Sequence, residues 1–302
     1  MTSGDLVVVG SINLDILLFQ DRLPARGETY TAHDVREAFG GKGANQAVQC
    51  AKLGQRVVFL GAVGRDSRGR ECRANLERQG VECHLAEVYS PTGIGVNNIL
   101  DHGELHATIV RGANGEVTSD WVRQNHALFR TASFLLIQNE IPADANAEAI
   151  RQAHQAGARV VYNAAPADPG TATLLSNCDY LIVNEEEAKA YLDDSYAGTE
   201  DMREVIVGLK KFCPRVILTL GAAGSLISSD AEVHRVPAVP VTPVDTTGAG
   251  DAFIGAFTSA LNTGIADLDA ANIASGVAAQ ATIGVGAQTT MASDWRTAHD
   301  PV

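Results

Sequence analysis

No run in this 302-residue sequence is long and apolar enough to cross a membrane. The apolar run nearest the N-terminus covers only Leu6 to Val9, and no basic segment precedes it, so a signal peptide is not expected. Positive charge is scarce. Lys and Arg number 23 against 36 Asp and Glu, a formal net charge of −13. So acidic a chain argues against nucleic acid or an anionic membrane as the principal partner. Cysteines are few as well: five, an odd number, with no C-x-x-C spacing. They read as reduced and mostly buried, which places the expected compartment in the cytoplasm and leaves no structural zinc. Aromatic residues make up 5% of the chain, too few for the ring clamps that would grip a nucleobase as substrate.

Two common nucleotide motifs are also missing. Gly10, after the first strand-like run, is followed by Ser11-Ile12, so there is no G-x-G-x-x-G. In "AFGGKGANQAVQCAKLG" Lys42 is followed by Gly43 rather than Ser or Thr, and Arg36 stands where a P-loop would begin with glycine.

What is present is an alternation. "LVVVG", "RVVFLGAVG", "SFLLIQ", "RVVYNAAP", "DYLIVN" and "RVILTLG" are short apolar runs that read as buried strands. Between them "ANQAVQCAKLG", "DSRGRECRANLERQG" and "PADANAEAIRQAHQAG" read as helices ending in glycine, with Pro142 in a first helical turn. Strands apolar throughout, alternating with helices, predict an α/β fold with a parallel sheet covered on both faces. "GETYTAHDVREAFGG" alternates polar and apolar residues instead. "GIGVNNILDHGELHATIV" predicts a hairpin turning near Asp101-His102-Gly103. From pattern alone these two segments are either a lid or edge hairpins of the same sheet. With 45% hydrophobic residues the chain has ample core for such a fold.

The most telling stretch is "VDTTGAGDAFIGAF", Val244 to Phe257. Glycine-rich backbone leading into a helix exposes N–H groups that no preceding turn uses, and the helix dipole adds to their pull on an anion. Asp251 sits in or beside that turn and can take a proton from a nearby hydroxyl. Amides for developing negative charge, together with a base for a hydroxyl, are what phosphoryl transfer to an alcohol requires. An N-capped helix with a favourable acidic first turn would leave the same trace.

The rest of the chain weighs in on that choice. "GGKGANQAVQCAKLG" and "DTTGAGDAFIGAF" resemble the two signatures of the ribokinase-like (pfkB-type) carbohydrate kinases. "GSINLD", "RGAN", "NEEEA", "TLGAAG" and "GVGAQT" fall in the family's order over nearly the whole length. The resemblance implies a single kinase domain over residues 1–302. It would be a three-layer α/β/α sandwich around a mostly parallel sheet, with a small β-sheet lid from about residues 12–40 and 94–111. It implies Asp251 as catalytic base and Gly248, Ala249 and Gly250 as anion-hole amides. It implies a sugar held by Asn13, Asp15, Gly41, Lys42, Asn45 and Glu140. Asn184 and Glu187 would place phosphate and Mg2+, and Thr219, Gly221, Gly224 and Ser275 would border the ATP, together with Gly250. Asp245, Thr247, Ala281, Gly284, Gly286 and Thr290 would surround a K+-sized ion. Four positions depart from the family's habit: Asn139 before Glu140, Ala164, Ser275, and the absence of proline after "GVGAQT".

The implied activity is ATP-dependent phosphorylation of a primary hydroxyl on ribose or a close relative, in a homodimer joined through the lids. Sibling substrates are 2-deoxyribose, fructose or another ketose, or a nucleoside. Asn13 speaks for a hydroxyl-rich sugar, since a deoxy-sugar would leave its amide unpaired. A non-catalytic sugar or nucleotide sensor on the same fold is the remaining reading, and the intact Asp251 speaks against it.

Overall fold

The computed structural model describes residues 4–101, 105–193, 196, 198–229 and 232–295. The chain opens with β1 (Asp5–Val9), β2 (Asn13–Gln20), β3 (Asp34–Gly40) and α1 (Lys42–Lys52). Next come β4 (Val57–Gly64), α2 (Ser67–Arg78), β5 (Val81–Val88), β6 (Ile94–Leu100) and β7 (Leu105–Val110). The middle runs α3 (Ser119–Gln124), β8 (Ala132–Gln138), α4 (Ala143–Ala156), β9 (Arg159–Asn163), α5 (Ala172–Leu175) and β10 (Tyr180–Asn184). After it come α6 (Glu185–Tyr191), α7 (Met202–Leu209), β11 (Val216–Thr219), β12 (Ser225–Ser229) and β13 (Glu232–Val236), then the long helices α8 (Ala249–Asn262) and α9 (Asp267–Ala281).

Nine strands form one sheet in the order β13-β12-β11-β10-β9-β8-β1-β4-β5. Every neighbouring pair from β11 to β5 is parallel, and β12 and β13 add an antiparallel edge. The period-2 alternation of a strand explains why the inner runs are apolar throughout. Leu6 and Val8 of β1 join the core under α1, α2, α8 and α9. Val7 and Val9 join the opposite core under α4, α6 and α7. Phe134 and Leu136 of β8 divide from Leu135 and Ile137 in the same way. The result is three layers, helix on sheet on helix.

The two segments of unlike pattern leave this sheet. They make a sheet of their own in the order β3-β2-β6-β7, with β2 and β6 parallel at its centre and antiparallel pairs outside. They are thus not edge hairpins of the main sheet. Between β2 and β3 no strand forms over 21–33, where most residues are exposed. β6 and β7 do pair as a hairpin, though His102 and Gly103, expected at its turn, lie outside the described residues.

Some elements were unreadable from pattern, and one boundary shifts. Edge strand β5 mixes buried and exposed positions without strict alternation. Pro142 is the N-cap of α4 rather than its first helical residue, and Gly157 closes that helix with φ of 76°. Gly255 brings α8 onto α1: a Cβ there would meet Gln49 Cβ at 2.7 Å. That approach sets α1 beside the first turn of α8, at the carboxyl ends of the parallel strands.

Candidate active site

Asp251 is the third residue of α8 and is buried. The helix starts after Gly248, which has φ of 81°, and no side chain caps it. A Cβ on Gly248 would lie 2.7 Å from Ala287 Cβ, so the turn accepts only glycine while residue 287 packs against it. The Ala249 amide donates to the Thr246 carbonyl at 3.2 Å. The amides of Gly248, Gly250 and Asp251 have no acceptor among the described residues. Of the three amides expected to serve an anion, Ala249 is therefore engaged within the protein, and Gly248 and Gly250 are free.

The carboxylate of Asp251 accepts two side-chain amides, Asn45 Nδ2 on Oδ2 at 2.9 Å and Gln46 Nε2 on Oδ1 at 3.0 Å. Both donors stand near the start of α1, at its fourth and fifth residues. Burial pushes the Asp251 carboxyl up from its usual range; Lys42 and the two amides pull it back, and Glu140 adds to the rise. Burying an unpaired carboxylate costs several kcal/mol, and these donors offset part of that cost. Lys42 is the cation of the cluster. Burial alone would lower its pKa, but Asp251, Glu140 and Glu187 together raise it, so it stays protonated.

On the side of the small sheet, Asp15 accepts the Gly95 amide on Oδ1 at 3.0 Å. Its pKa is raised to about 6, first by burial, against the Gly95 bond, and further by the charges of Glu140 and Asp251. Glu140 follows β8 and accepts Ser11 Oγ and, at 3.0 Å, the Lys42 amide on Oε2. Gly41 precedes α1 and its carbonyl accepts the Asn45 amide at 2.9 Å. Asn13 is buried, its Oδ1 taken by Asn114 Nδ2 at 2.8 Å. Asn114 also accepts the Ile12 amide and donates to the Ile12 carbonyl, tying "GSINLD" to "RGAN".

Lys42, Asn163, Asn184, Glu187, Thr219, Gly248, Gly250 and Asp251 line a cleft of about 120 Å³. Asn184 and Glu187 close a capping box at the start of α6, each side chain on the other's backbone amide. The two residues of this capping box also border the cleft. Burial pushes the Glu187 carboxyl up, while the Asn184 amide and Lys42 oppose it. Next to the cleft lies an apolar pocket of about 510 Å³, which shares Thr219 and Gly250 with it. Gly221, Ala222, the 238–243 segment, Phe253, Ser275 and Ala278 line its other sides. Its size suits a small-molecule ligand, roughly 300–1,000 Å³. Gly224 does not line it: it packs against the Val236 carbonyl, where a Cβ would meet the oxygen at 2.1 Å.

Behind the Gly248 turn, Asp245 accepts the Thr247 amide at 2.8 Å and the Gly286 amide at 2.9 Å. Thr247 Oγ1 is buried with no partner. Thr290 Oγ1 donates to the Ala281 carbonyl at 2.5 Å, and Gly284 packs against Thr290 Cγ2. Among the described residues no three His, Cys, Asp or Glu side chains cluster as a metal site.

Several polar residues of this region carry no local signature in the sequence. Gln46 and Gln138 are both fully buried, with Gln138 Nε2 on Gln46 Oε1 at 2.7 Å. Gln46 also donates to Asn163 Oδ1 at 3.2 Å. The available signal was three amides, Asn45, Gln46 and Gln49, on a helix that is otherwise alanine and valine through its middle.

Residues 3–294 match the pfkB family of carbohydrate kinases. A ribokinase of Schizosaccharomyces pombe is 37% identical over 275 residues, 86% of this chain and 86% of that protein. The crystal structure of a Thermotoga maritima ribokinase superposes with a TM-score of 0.88 at 30% identity, covering 98% of each chain. An Arabidopsis thaliana ribokinase, solved with ribose and ATP, superposes at 0.83 and 30% identity over 98% of this chain and 97% of that one. The chain belongs to the pfkB family of carbohydrate kinases. It is a phosphotransferase with an alcohol group as acceptor.

Proposed function

We propose that this kinase transfers the γ-phosphoryl group of ATP to the primary hydroxyl of D-ribose, giving ribose 5-phosphate. The observation that carries the reading is the buried Asp251 at an uncapped, glycine-led helix start, beside a cleft with one cation, Lys42. The likeness to an enzyme solved with ribose and ATP supplies the substrates.

Asp251 accepts the hydroxyl proton, and a pKa raised by burial makes it the stronger acceptor. The amides of Gly248 and Gly250 receive the charge on the transferring phosphoryl group. Asp15, Asn13, Asn45 and Glu140 pair with the sugar hydroxyls, Gly41 and Lys42 closing the same side. The nucleoside occupies the apolar pocket with its phosphates over the cleft at Thr219 and Gly250. Mg2+ fits here as an ion carried with the nucleotide: one carboxylate, Glu187, with Asn184 beside it, suits an ion that keeps most of its water and neutralises phosphate charge. A K+-sized ion fits near Asp245, because Thr247 Oγ1 is a buried oxygen without a partner. It would hold the shape of the turn and touch no substrate.

Residues 1–302 then make one kinase domain, with 12–40 and 94–111 as its lid. Val35, Ile109 and Val110 are exposed on that sheet, which supports pairing of two chains through their lids. A cytoplasmic setting is supported by five free cysteines, four of them buried. No helix among the described residues is long and apolar enough to cross a membrane. The test is a panel of D-ribose, 2-deoxyribose, fructose and adenosine with ATP, each product identified. Ribose should give the highest kcat/KM, and Asp251→Asn should lower kcat by about 10²–10⁴-fold. Preference for another acceptor overturns the substrate; turnover near wild type in Asp251→Asn overturns the base.

A further inference from the structure

The two amides on Asp251 belong to a longer chain of buried amides with a single polarity. Asn75 Nδ2, on α2, donates to Gln288 Oε1 at 2.8 Å. Gln288 Nε2 donates to Asn45 Oδ1 at 2.9 Å, and Asn45 Nδ2 donates to Asp251. Asn75, Gln288 and Asn45 are all buried. The segment carrying Gln288 is strapped to α1 by Lys52 Nζ on the Gln288 carbonyl at 2.8 Å and by Gln49 Nε2 on the Ala292 carbonyl at 2.9 Å.

An amide can turn over by 180° at little steric cost, exchanging donor for acceptor. If Asn45 did so, its oxygen would face a carboxylate oxygen across a hydrogen-bond distance. Ionised Asp251 disfavours that by itself. Once Asp251 has taken a proton, it no longer does, and the polarity must come from elsewhere. Gln288 supplies it: its Nε2 needs an oxygen, and its own Oε1 is held by Asn75. The donor therefore stays aimed at Asp251 through both protonation states. Gln46 is locked in the same sense by Gln138 from the other side.

We propose that Gln288 is a positioning residue that acts through Asn45 to keep a hydrogen-bond donor on the catalytic carboxylate, with Asn75 fixing Gln288 in turn. The proposal rests on the reading of Asp251 as the base. The other charged groups facing Asp251 are Lys42 of α1, Glu140 after β8, Glu187 of α6 and Asp15 of β2. None is altered in the test.

The experiment compares wild type, Gln288→Met and Asn75→Leu, with Asp251→Asn alongside. Neither of the first two substitutions changes charge. The readouts are the pH profile of kcat at saturating sugar and ATP, where the titration of Asp15 in the free enzyme does not enter, the KM for ATP and thermal melting. Without Gln288, Asn45 can turn its oxygen to the protonated carboxyl and accept its O–H, which stabilises the neutral form and raises the pKa of Asp251. The acid limb should move up by about one pH unit in Gln288→Met and by less in Asn75→Leu, with KM for ATP unchanged. A packing role would lower the melting point or overall rate and leave the limb where it was. If both variants fold and their acid limbs lie within about 0.2 units of wild type, the proposal is overturned. If only Asn75→Leu folds, an unmoved limb in it overturns the proposal too. Failure of the base itself would show separately, as retained turnover in Asp251→Asn.

Discussion

Asp15 Oδ1 accepts the amide of Gly95 at 3.0 Å, and a Cβ on Gly95 would stand 2.5 Å from that same oxygen. The neighbouring strand leaves equally little room, since a Cβ on Gly40 would lie 2.0 Å from Asp15 Oδ2. Strands β3 and β6 flank β2, so the carboxylate is seated between two backbones cleared of side chains. Gly95→Ala should therefore displace Asp15 without touching the base. The expected result is a KM for sugar raised about 10-fold or more with a smaller change in kcat, since a paired bond to hydroxyls is lost. Steady-state kinetics against sugar checks it; an unchanged KM would remove Asp15 from the sugar site.

Asp15 also predicts a pH dependence. Its pKa rises from 3.8 to about 6 on folding, chiefly through burial. The folded chain thus holds this proton more tightly than the unfolded one. Its favourable effect on stability is fully present below pH about 4 and is lost as pH rises to about 6. Sugar binding runs the opposite way, because the ionised form is the better acceptor. Asp15→Asn should melt higher than wild type at pH 7.5 and bind sugar more weakly. A melting point below wild type would mean that the ionised carboxylate is a net stabiliser.

Asn114 makes three hydrogen bonds to Ile12 and Asn13 and is itself buried. Asn114→Ala would leave the Ile12 amide and the Asn13 oxygen unsatisfied. The expected loss is about 2–4 kcal/mol of stability by denaturant unfolding, with sugar KM raised, because Asn13 could then turn over. A loss below about 0.5 kcal/mol would mean that water replaces these bonds.

Activity at equal ionic strength in K+ and in a large organic cation tests the pocket near Asp245. Rates several-fold higher in K+ are expected, since Thr247 Oγ1 and Asp245 sit next to the Gly248 turn. Equal rates would remove the ion and leave the kinase reading standing.

The inner strands were legible because both of their faces are buried: "LVVVG" and "SFLLIQ" need no partner to be recognised. Glycine signatures were legible for a similar reason. A backbone with φ of 81° at Gly248, pressed on Ala287, tolerates one residue type, so the constraint is written in the residue itself. Asp251 was singled out because a carboxylate at such a turn is conspicuous.

Other features were carried by no local pattern. β5 and β13 are edge strands, half exposed, and their mixed composition matches no period. Whether the two odd segments made a sheet of their own or edges of the main sheet depended on which strand each met, a choice settled by pairing of β2 with β6 across 80 residues. The amides around Asp251 are the clearest case. Asn75, Gln288, Asn45 and Gln46 look like ordinary polar residues on helices and a loop. Only when α1, α2, α8 and the 288–292 segment close on one another are they sealed from water, and a buried amide must then pair with another. The layers, the glycine turns and the carboxylate beside one of them could be read from local pattern, because each is imposed within a few consecutive residues. The tertiary structure alone decided the direction of each amide, because that is fixed by partners up to 243 positions apart.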